Sequence, residues 1–210
     1  DYVSANLSVM VTGRVTAAYA PRDDATIDQG NASTRWRDLY VSRNLTDATF
    51  FVTLQNLSEA ANITLDCAGY TITGNNSTST NGVYSAQLNS SIKNCNIQNF
   101  STGIYISGDA ADYANITNNT ITLTYSTSCS ASTGACSAIF VNGADNSAIR
   151  NNYVRASNYA ISIYNSATYS NISYNNASAS TNFAIYLSSS SSNNIIQYNN
   201  ASASNSAIRL

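Results

Sequence analysis

From residue 82 onward, apolar residues recur in short alternating runs instead of at helical spacing. Runs of small-aliphatic-x-aliphatic type stand at Gly82-Val83, Gly103-Ile104-Tyr105-Ile106, Ala138-Ile139-Phe140-Val141, Ala160-Ile161-Ser162-Ile163, Ala184-Ile185-Tyr186-Leu187 and Ala207-Ile208-Arg209-Leu210. The small residues are separated by 21, 35, 22, 24 and 23 positions. A second aliphatic series, Ile92, Ile116, Ile149, Ile172 and Ile196, has separations of 24, 33, 23 and 24. Both series lengthen at the same place, so one repeat carries an insertion of about ten residues near 124–135. A fixed period of this length marks a repeat architecture. Period-2 runs this short are strands.

Five residues after each leading aliphatic stands another small or branched residue: Ile97, Ile121, Val154, Ala177 and Ala201. Three residues after it stand Cys95, Asn119, Asn152, Asn175 and Asn199, within asparagine-rich turn chemistry. A coil of about 22 residues built from short strands has one economical packing, in which each coil stacks on the next and like positions form ladders about 4.8 Å apart. Aliphatics then fill the interior, and the asparagines satisfy a turn by amide bonds from coil to coil. The leucine pattern of a leucine-rich repeat is absent. The expected fold is all-β, a right-handed parallel β-helix of about six coils over residues 49–210, preceded by an N-terminal β extension over 1–48.

In that extension Val3, Ala5, Leu7, Val9 and Val11 alternate with polar residues or Met10, the pattern of a long strand with one apolar face. Such a strand needs a partner. Pro21, the only proline, separates it from a mixed-charge stretch holding Arg22, Asp23, Asp24, Asp28, Arg35, Arg37 and Asp38.

Composition shifts attention to the surface. Only 10 % of residues are charged and the formal net charge is −2, against 33 Ser, 30 Asn and 21 Thr. Nothing in this balance favours nucleic acid or an anionic membrane as a partner, and no apolar run has the length of a membrane span. Acceptor sequences for N-linked sugar stand at Asn6, Asn31, Asn44, Asn56, Asn62, Asn75, Asn76, Asn89, Asn99, Asn115, Asn118, Asn171, Asn176 and Asn200. Composition alone would place about eight, and 14 are present. The repeat gives them a pattern. The inward asparagines Asn119, Asn152, Asn175 and Asn199 are not acceptors, whereas Asn176 and Asn200, one residue on, both are; so are Asn115 and Asn171, just ahead of a leading aliphatic. A buried asparagine cannot carry a glycan, so this is the partition that glycosylation requires. N-linked glycans are expected, and no other cofactor.

Four cysteines suit an oxidising compartment. Cys129 and Cys136 bracket the insertion, where a disulfide constrains a segment lacking a core of its own. Cys67 and Cys95 occupy comparable places on successive coils, either bridged or stacked as buried thiols. With no histidine and no paired CxxC, the usual zinc sites and histidine-dependent nucleophiles are excluded. Asp112 and Asp145 each precede a leading aliphatic by four residues, near Arg150; stacked carboxylates recruit a hard cation such as calcium, but no third acid completes a cluster. The outward middle residues of the Ile-x-Ile strands read Tyr84, Tyr105, Phe140, Ser162, Tyr186 and Arg209. An exposed aromatic stripe of this kind stacks on sugar rings, buries against another subunit, or packs coil on coil.

The stretch Leu65-Asp66-Cys67-Ala68-Gly69-Tyr70-Thr71-Ile72-Thr73-Gly74 followed by Ser91-Ile92-Lys93-Asn94-Cys95 resembles NosD-like and pectin-lyase-like β-helix repeat proteins. The resemblance covers residues 62–210 and implies the fold. Its members range over lyases, phage tailspikes, adhesins and archaeal surface proteins, so it leaves function open. The copper delivery associated with the family does not carry over, because histidine is absent and Met10, the only methionine, lies outside the repeats. Arg35-Trp36-Arg37-Asp38-Leu39-Tyr40 is similar to a short element of phage tail-fibre proteins; Trp36 capping the end of the solenoid is the plainer reading. The sequence ends at Ala207-Ile208-Arg209-Leu210 within a coil and begins at Asp1 as a processed form would. The combined expectation is a non-enzymatic structural glycoprotein of an extracellular, archaeal-type cell surface. Its copies join head to tail through the strand at Val3, Leu7, Val9 and Val11. The alternative is a carbohydrate-binding or carbohydrate-cleaving β-helix.

Overall fold

The computed structural model describes residues 62–124, 136–188 and 190–210 in full, and five short strands between Gly30 and Leu54 by their backbone. Two units are distinguished, residues 1–36 and 37–210. In the first, Gly30–Asn31 pairs antiparallel with Thr34–Arg35. The apolar strand expected at Val3–Val11, Trp36 and the insertion with Cys129 lie outside the described residues.

The second unit is a solenoid of three parallel sheets, each contributing one strand per coil. The first sheet runs Asp38–Tyr40, Thr64–Asp66, Ser91–Lys93, Asn115–Thr117, Ala148–Arg150, Asn171–Ser173 and Ile195–Gln197. The second runs Leu45–Thr46, Thr71–Thr73, Asn96–Gln98, Thr120–Thr122, Tyr153–Ala156, Asn176–Ala179 and Asn200–Ala203. The third, with the longest strands, runs Val52–Leu54, Asn81–Ser85, Thr102–Ser107, Ser137–Asn142, Tyr159–Tyr164, Phe183–Leu187 and Ser206–Arg209. Each sheet therefore stacks seven described strands, in keeping with a solenoid of about six coils. The first of these coils includes Asp38–Tyr40: Leu39 is in register with Leu65, and Leu45 with Ile72. Strand pairing recruits these residues although their spacing does not follow the repeat.

Inside, the ladders are those read from the period. Leu65, Ile92, Ile116, Ile149 and Ile172 form one fully buried column, and Ile104, Ile139, Ile161 and Ile185 another. The small residues that open the third-sheet strands are dictated by crowding. A Cβ on Gly103 would lie 2.4 Å from the Ala138 carbonyl oxygen and 2.6 Å from Ile121 Cγ2; one on Gly82 would lie 2.5 Å from Ile97 Cγ2. Later coils carry alanine there, while the second-sheet column shrinks from Ile97 and Ile121 to Val154, Ala177 and Ala201. The two columns trade volume so that the interior stays close-packed.

The corner between the first and second sheets is held by the asparagine ladder. Asn152 Oδ1 accepts from the Asn119 backbone N–H at 2.9 Å and from Asn119 Nδ2 at 3.1 Å; Asn152 Nδ2 donates to the Ile116 carbonyl at 2.9 Å and to Asn175 Oδ1 at 3.0 Å. Asn175 repeats the set with Asn199 and the Ile149 carbonyl. Asn119, Asn152 and Asn175 are buried, so these amides have no water to fall back on. At the first rung, the Cys95 N–H donates to Asn119 Oδ1 at 3.0 Å, and Cys95 is joined by a disulfide to Cys67 one coil below, Cα to Cα 4.7 Å. The covalent bond spans one coil rise and extends the amide ladder.

Asn152→Ala strands the Asn119 N–H and the Ile116 carbonyl in the interior. At about 1–3 kcal/mol for each unsatisfied group, thermal unfolding should show a Tm lowered by about 5–20 °C. Asn199→Ala, on the partly exposed last rung, should cost clearly less. Equal losses at the two positions would refute the ladder's role.

Candidate functional site

The candidates for a functional site are the acceptor asparagines, the aromatic row, the carboxylates and the surface concavities. None of the ten acceptors among the described residues is fully buried, although Asn171 Oδ1 is itself shielded. Asn62, Asn75, Asn76, Asn89, Asn115, Asn118, Asn176 and Asn200 are exposed, and Asn99 and Asn171 are half-buried. The buried asparagines, Asn119, Asn152, Asn158 and Asn175, are none of them acceptors. Asn6, Asn44 and Asn56 lie outside the described residues, and Asn31 is described by its backbone alone.

The acceptors also occupy particular places. Asn115 and Asn171 open strands of the first sheet; Asn176 and Asn200 open strands of the second, in register with each other. Asn62, Asn76, Asn89, Asn99 and Asn118 sit in corners with φ of 71°, 58°, 54°, 62° and 56°, the left-handed region that asparagine tolerates best. No acceptor falls on a described third-sheet strand. Sugar would thus cover two faces and their corners, leaving the third sheet bare.

That bare sheet carries the aromatic row, but not as an open stripe. Phe140 is fully buried, and Tyr84, Tyr105 and Tyr186 are half-buried. In-register neighbours one coil apart pack on each other, with ring centroids 5.3 Å apart for Tyr84 and Tyr105 and 5.0 Å for Tyr105 and Phe140. Ser162 interrupts the row above Phe140. Tyr164 takes its place 6.2 Å from Phe140, while Tyr186 packs with Tyr159 and Phe183, with the Arg209 guanidinium 5.0 Å over Phe183. Coil-on-coil packing, one of the three readings of the row, is the geometry present, and the expectation that the row is exposed is corrected.

Asp112 and Asp145 do stack. However, Asp112 Oδ1 accepts the Asp145 N–H at 2.7 Å, and Asp145 Oδ1 accepts the Thr168 N–H at 2.6 Å and its hydroxyl at 2.8 Å. Each carboxylate closes the backbone of the following coil, as the asparagines do at the other corner. Among the described residues no three acids, cysteines or histidines converge. Arg150 is exposed on the first sheet, in register with Thr117 and Ser173. Asp66, bonded by the Asn94 amide and the Ala68 N–H and paired with Lys93 at 3.4 Å, holds its carboxyl below the ordinary range.

The described residues also form shallow concavities, two of which are lined as follows. One, of about 460 Å³ along the second sheet, is lined by Arg155 and the hydroxyls of Thr122, Thr124, Ser157, Ser178 and Ser180. The other, of about 510 Å³ at the last coil, is bounded by Leu187, Asn194, Ile196 and Leu210. Beside it Ile195 is 53 % exposed and Ile208 44 %.

Glycopeptide analysis of the native protein should find sugar on Asn176 or Asn200 and none on Asn152 or Asn175; sugar on a ladder asparagine would overturn the partition. Cys136 is disulfide-bonded. Non-reducing peptide mapping should recover one peptide linking Cys67 to Cys95 and another linking Cys129 to Cys136. Free thiol at Cys129 would refute the second assignment.

No helix among the described residues is long and apolar enough to cross a membrane. No curated protein and no solved structure matches the chain. A family model for right-handed β-helix regions matches residues 81–210. With parallel three-sheet coils, stacked aliphatic columns and that match over more than half its length, the chain belongs to the right-handed β-helix family.

Proposed function

We propose that this protein is an extracellular structural glycoprotein, a subunit of a cell-surface filament or comparable assembly, and not an enzyme. The observation that carries the reading is the division of asparagines. Among the described residues, those that could bear sugar are not buried, and those the interior needs are not acceptors. A low-charge surface rich in neutral hydroxyls and amides then takes its hydration from glycans as well as from side chains. The Cys67–Cys95 bond and the bonded Cys136 fit passage through an oxidising compartment.

Assembly is the finer part of the reading, and the alternation of Val3, Leu7, Val9 and Val11 supports it: a strand with one apolar face needs a partner, and we assign that partner to a sheet edge of a neighbouring copy. A head-to-tail contact of this kind is heterologous and propagates. Burial of Val3, Leu7, Val9 and Val11 would contribute about 6–12 kcal/mol before the cost of association.

The second reading, a carbohydrate-binding β-helix, is favoured by the cavity at Arg155, whose hydroxyl lining suits saccharide hydroxyls. No carboxylate lines it, which favours binding over cleavage.

Deleting residues 1–12 should abolish polymers in negative-stain micrographs while circular dichroism still reports the folded solenoid. A truncated protein that polymerises defeats the assignment, as does a full-length protein that stays monomeric at high concentration.

A further inference from the structure

The corners on either side of the first sheet each hold one residue in the left-handed conformation on nearly every coil. Ahead of the strands stand Asn62, Asn89, Tyr113, Asn146, Tyr169 and Asn193; behind them stand Asn94, Asn118, Asn151, Tyr174 and Tyr198. Their φ values run from 54° to 71°. The ladder imposes this conformation. Asn89, Tyr113 and Asn146 donate their backbone N–H to Asp112, Asp145 and Thr168 carbonyls on the next coil at 2.8, 2.9 and 2.9 Å. Asparagine suits such a site; a bulky aromatic residue is an outlier there.

The four tyrosines have one thing in common that the seven asparagines lack. Two residues after Tyr113, Tyr169, Tyr174 and Tyr198 stand Asn115, Asn171, Asn176 and Asn200, each an acceptor for N-linked sugar and each the first residue of an outer-face strand. Two residues after the seven asparagines stand Thr64, Ser91, Ala148, Ile195, Asn96, Thr120 and Tyr153, none of them an acceptor. The residue between tyrosine and acceptor (Ala114, Ser170, Asn175 or Asn199) belongs to the inward-facing ladders, so tyrosine and acceptor emerge on the same side. The tyrosines are 56 %, 62 %, 57 % and 71 % exposed. Folding alone does not call for an unfavourable backbone site filled by a ring left mostly in water. Tyr174 and Tyr198 stack on each other, centroids 5.0 Å apart. That contact does not account for Tyr113 or Tyr169, whose neighbours in the column are asparagines.

We infer that Tyr113, Tyr169, Tyr174 and Tyr198 are platforms for the protein's own glycans, each ring stacking on the first sugar of the chain attached two residues on. The inference rests on the glycoprotein reading and names the surface that reading lacks. An aromatic face binds the C–H face of a sugar ring, and an acceptor at fixed i+2 spacing presents that sugar without the entropy cost of a free ligand. Sugar contact then offsets the backbone cost, which explains why tyrosine replaces asparagine only at these four corners.

Tyr113→Asn and Tyr169→Asn restore the residue that the same columns carry elsewhere, and neither creates a new acceptor. Each is compared in glycosylated protein and in protein lacking the neighbouring sugar through Asn115→Gln or Asn171→Gln. Without sugar the turn relaxes and Tm should rise by about 2–4 °C; with sugar the platform is lost and Tm should fall by about 2–4 °C. Sugar C–H protons shifted upfield by the ring should return to ordinary values in the variants. Shifts of the same sign in both backgrounds overturn the inference. So does a glycopeptide map in which Asn115, Asn171, Asn176 and Asn200 are bare; sugar at Asn62, Asn89 or Asn118 in that same map would leave the glycoprotein reading standing.

Discussion

Every other feature of this solenoid depends on the in-register stacking of coils, and the corner amides are what make the register strict. A coil slipped by one residue would put Asn151 or Tyr153 where Asn152 belongs and turn Val154 out of the aliphatic interior. In register, the same carboxamide accepts two hydrogen bonds and donates two, so the Asn119 N–H and the Ile116 carbonyl at the sharp bend between first and second sheets are paired. The Cys67–Cys95 disulfide serves the same corner one coil earlier, and Asp112 and Asp145 serve the opposite one. Polar ladders hold the corners, and aliphatic columns fill the space between.

Strict register has consequences outside. Because like positions lie one coil rise apart, any side chain repeated on an outer face meets its own kind. Aromatic residues on the third sheet close on one another and lose most of their exposure; asparagines in the corners become a column of left-handed residues. Among the described residues, sugar-acceptor sites are confined to two sheets and the corners. The surface is therefore divided by face, with acceptors on two sides and packed rings on the third, and the division follows from the period without any separate folding device.

The family shared by this chain accommodates binding, cleaving and purely structural members, and the solenoid alone does not choose among them. Chemically, the chain has few charges and faces rich in amides and hydroxyls, and among the described residues Asp66, Asp112 and Asp145 are committed to backbone turns. Its asparagines divide between a buried corner ladder and positions at the surface.

The aliphatic columns, the asparagine ladder, the insertion and the split between buried and acceptor asparagines were legible in the sequence, because a one-dimensional repeat writes each three-dimensional neighbour at a fixed offset. Other features needed the tertiary structure. The coil containing Asp38–Tyr40, Leu45–Thr46 and Val52–Leu54 has irregular spacing, so only backbone pairing reveals it. Cys67 follows Leu65 by two residues and Cys95 follows Ile92 by three. The two extra corner residues after Cys67, Ala68 at φ 50° and Gly69 at φ 85°, accompany a shape that brings the sulfurs together, and spacing alone left bridge and stacked thiols open. The aromatic row was visible but its exposure was not, since burial of Phe140 is a sum over neighbours that no single repeat contains. The tyrosines two residues ahead of acceptors are plain in the letters, yet they acquire meaning only from their left-handed φ and exposure. A periodic sequence determines which residues stack; the folded backbone determines which of them are strained, covered or left to face the solvent.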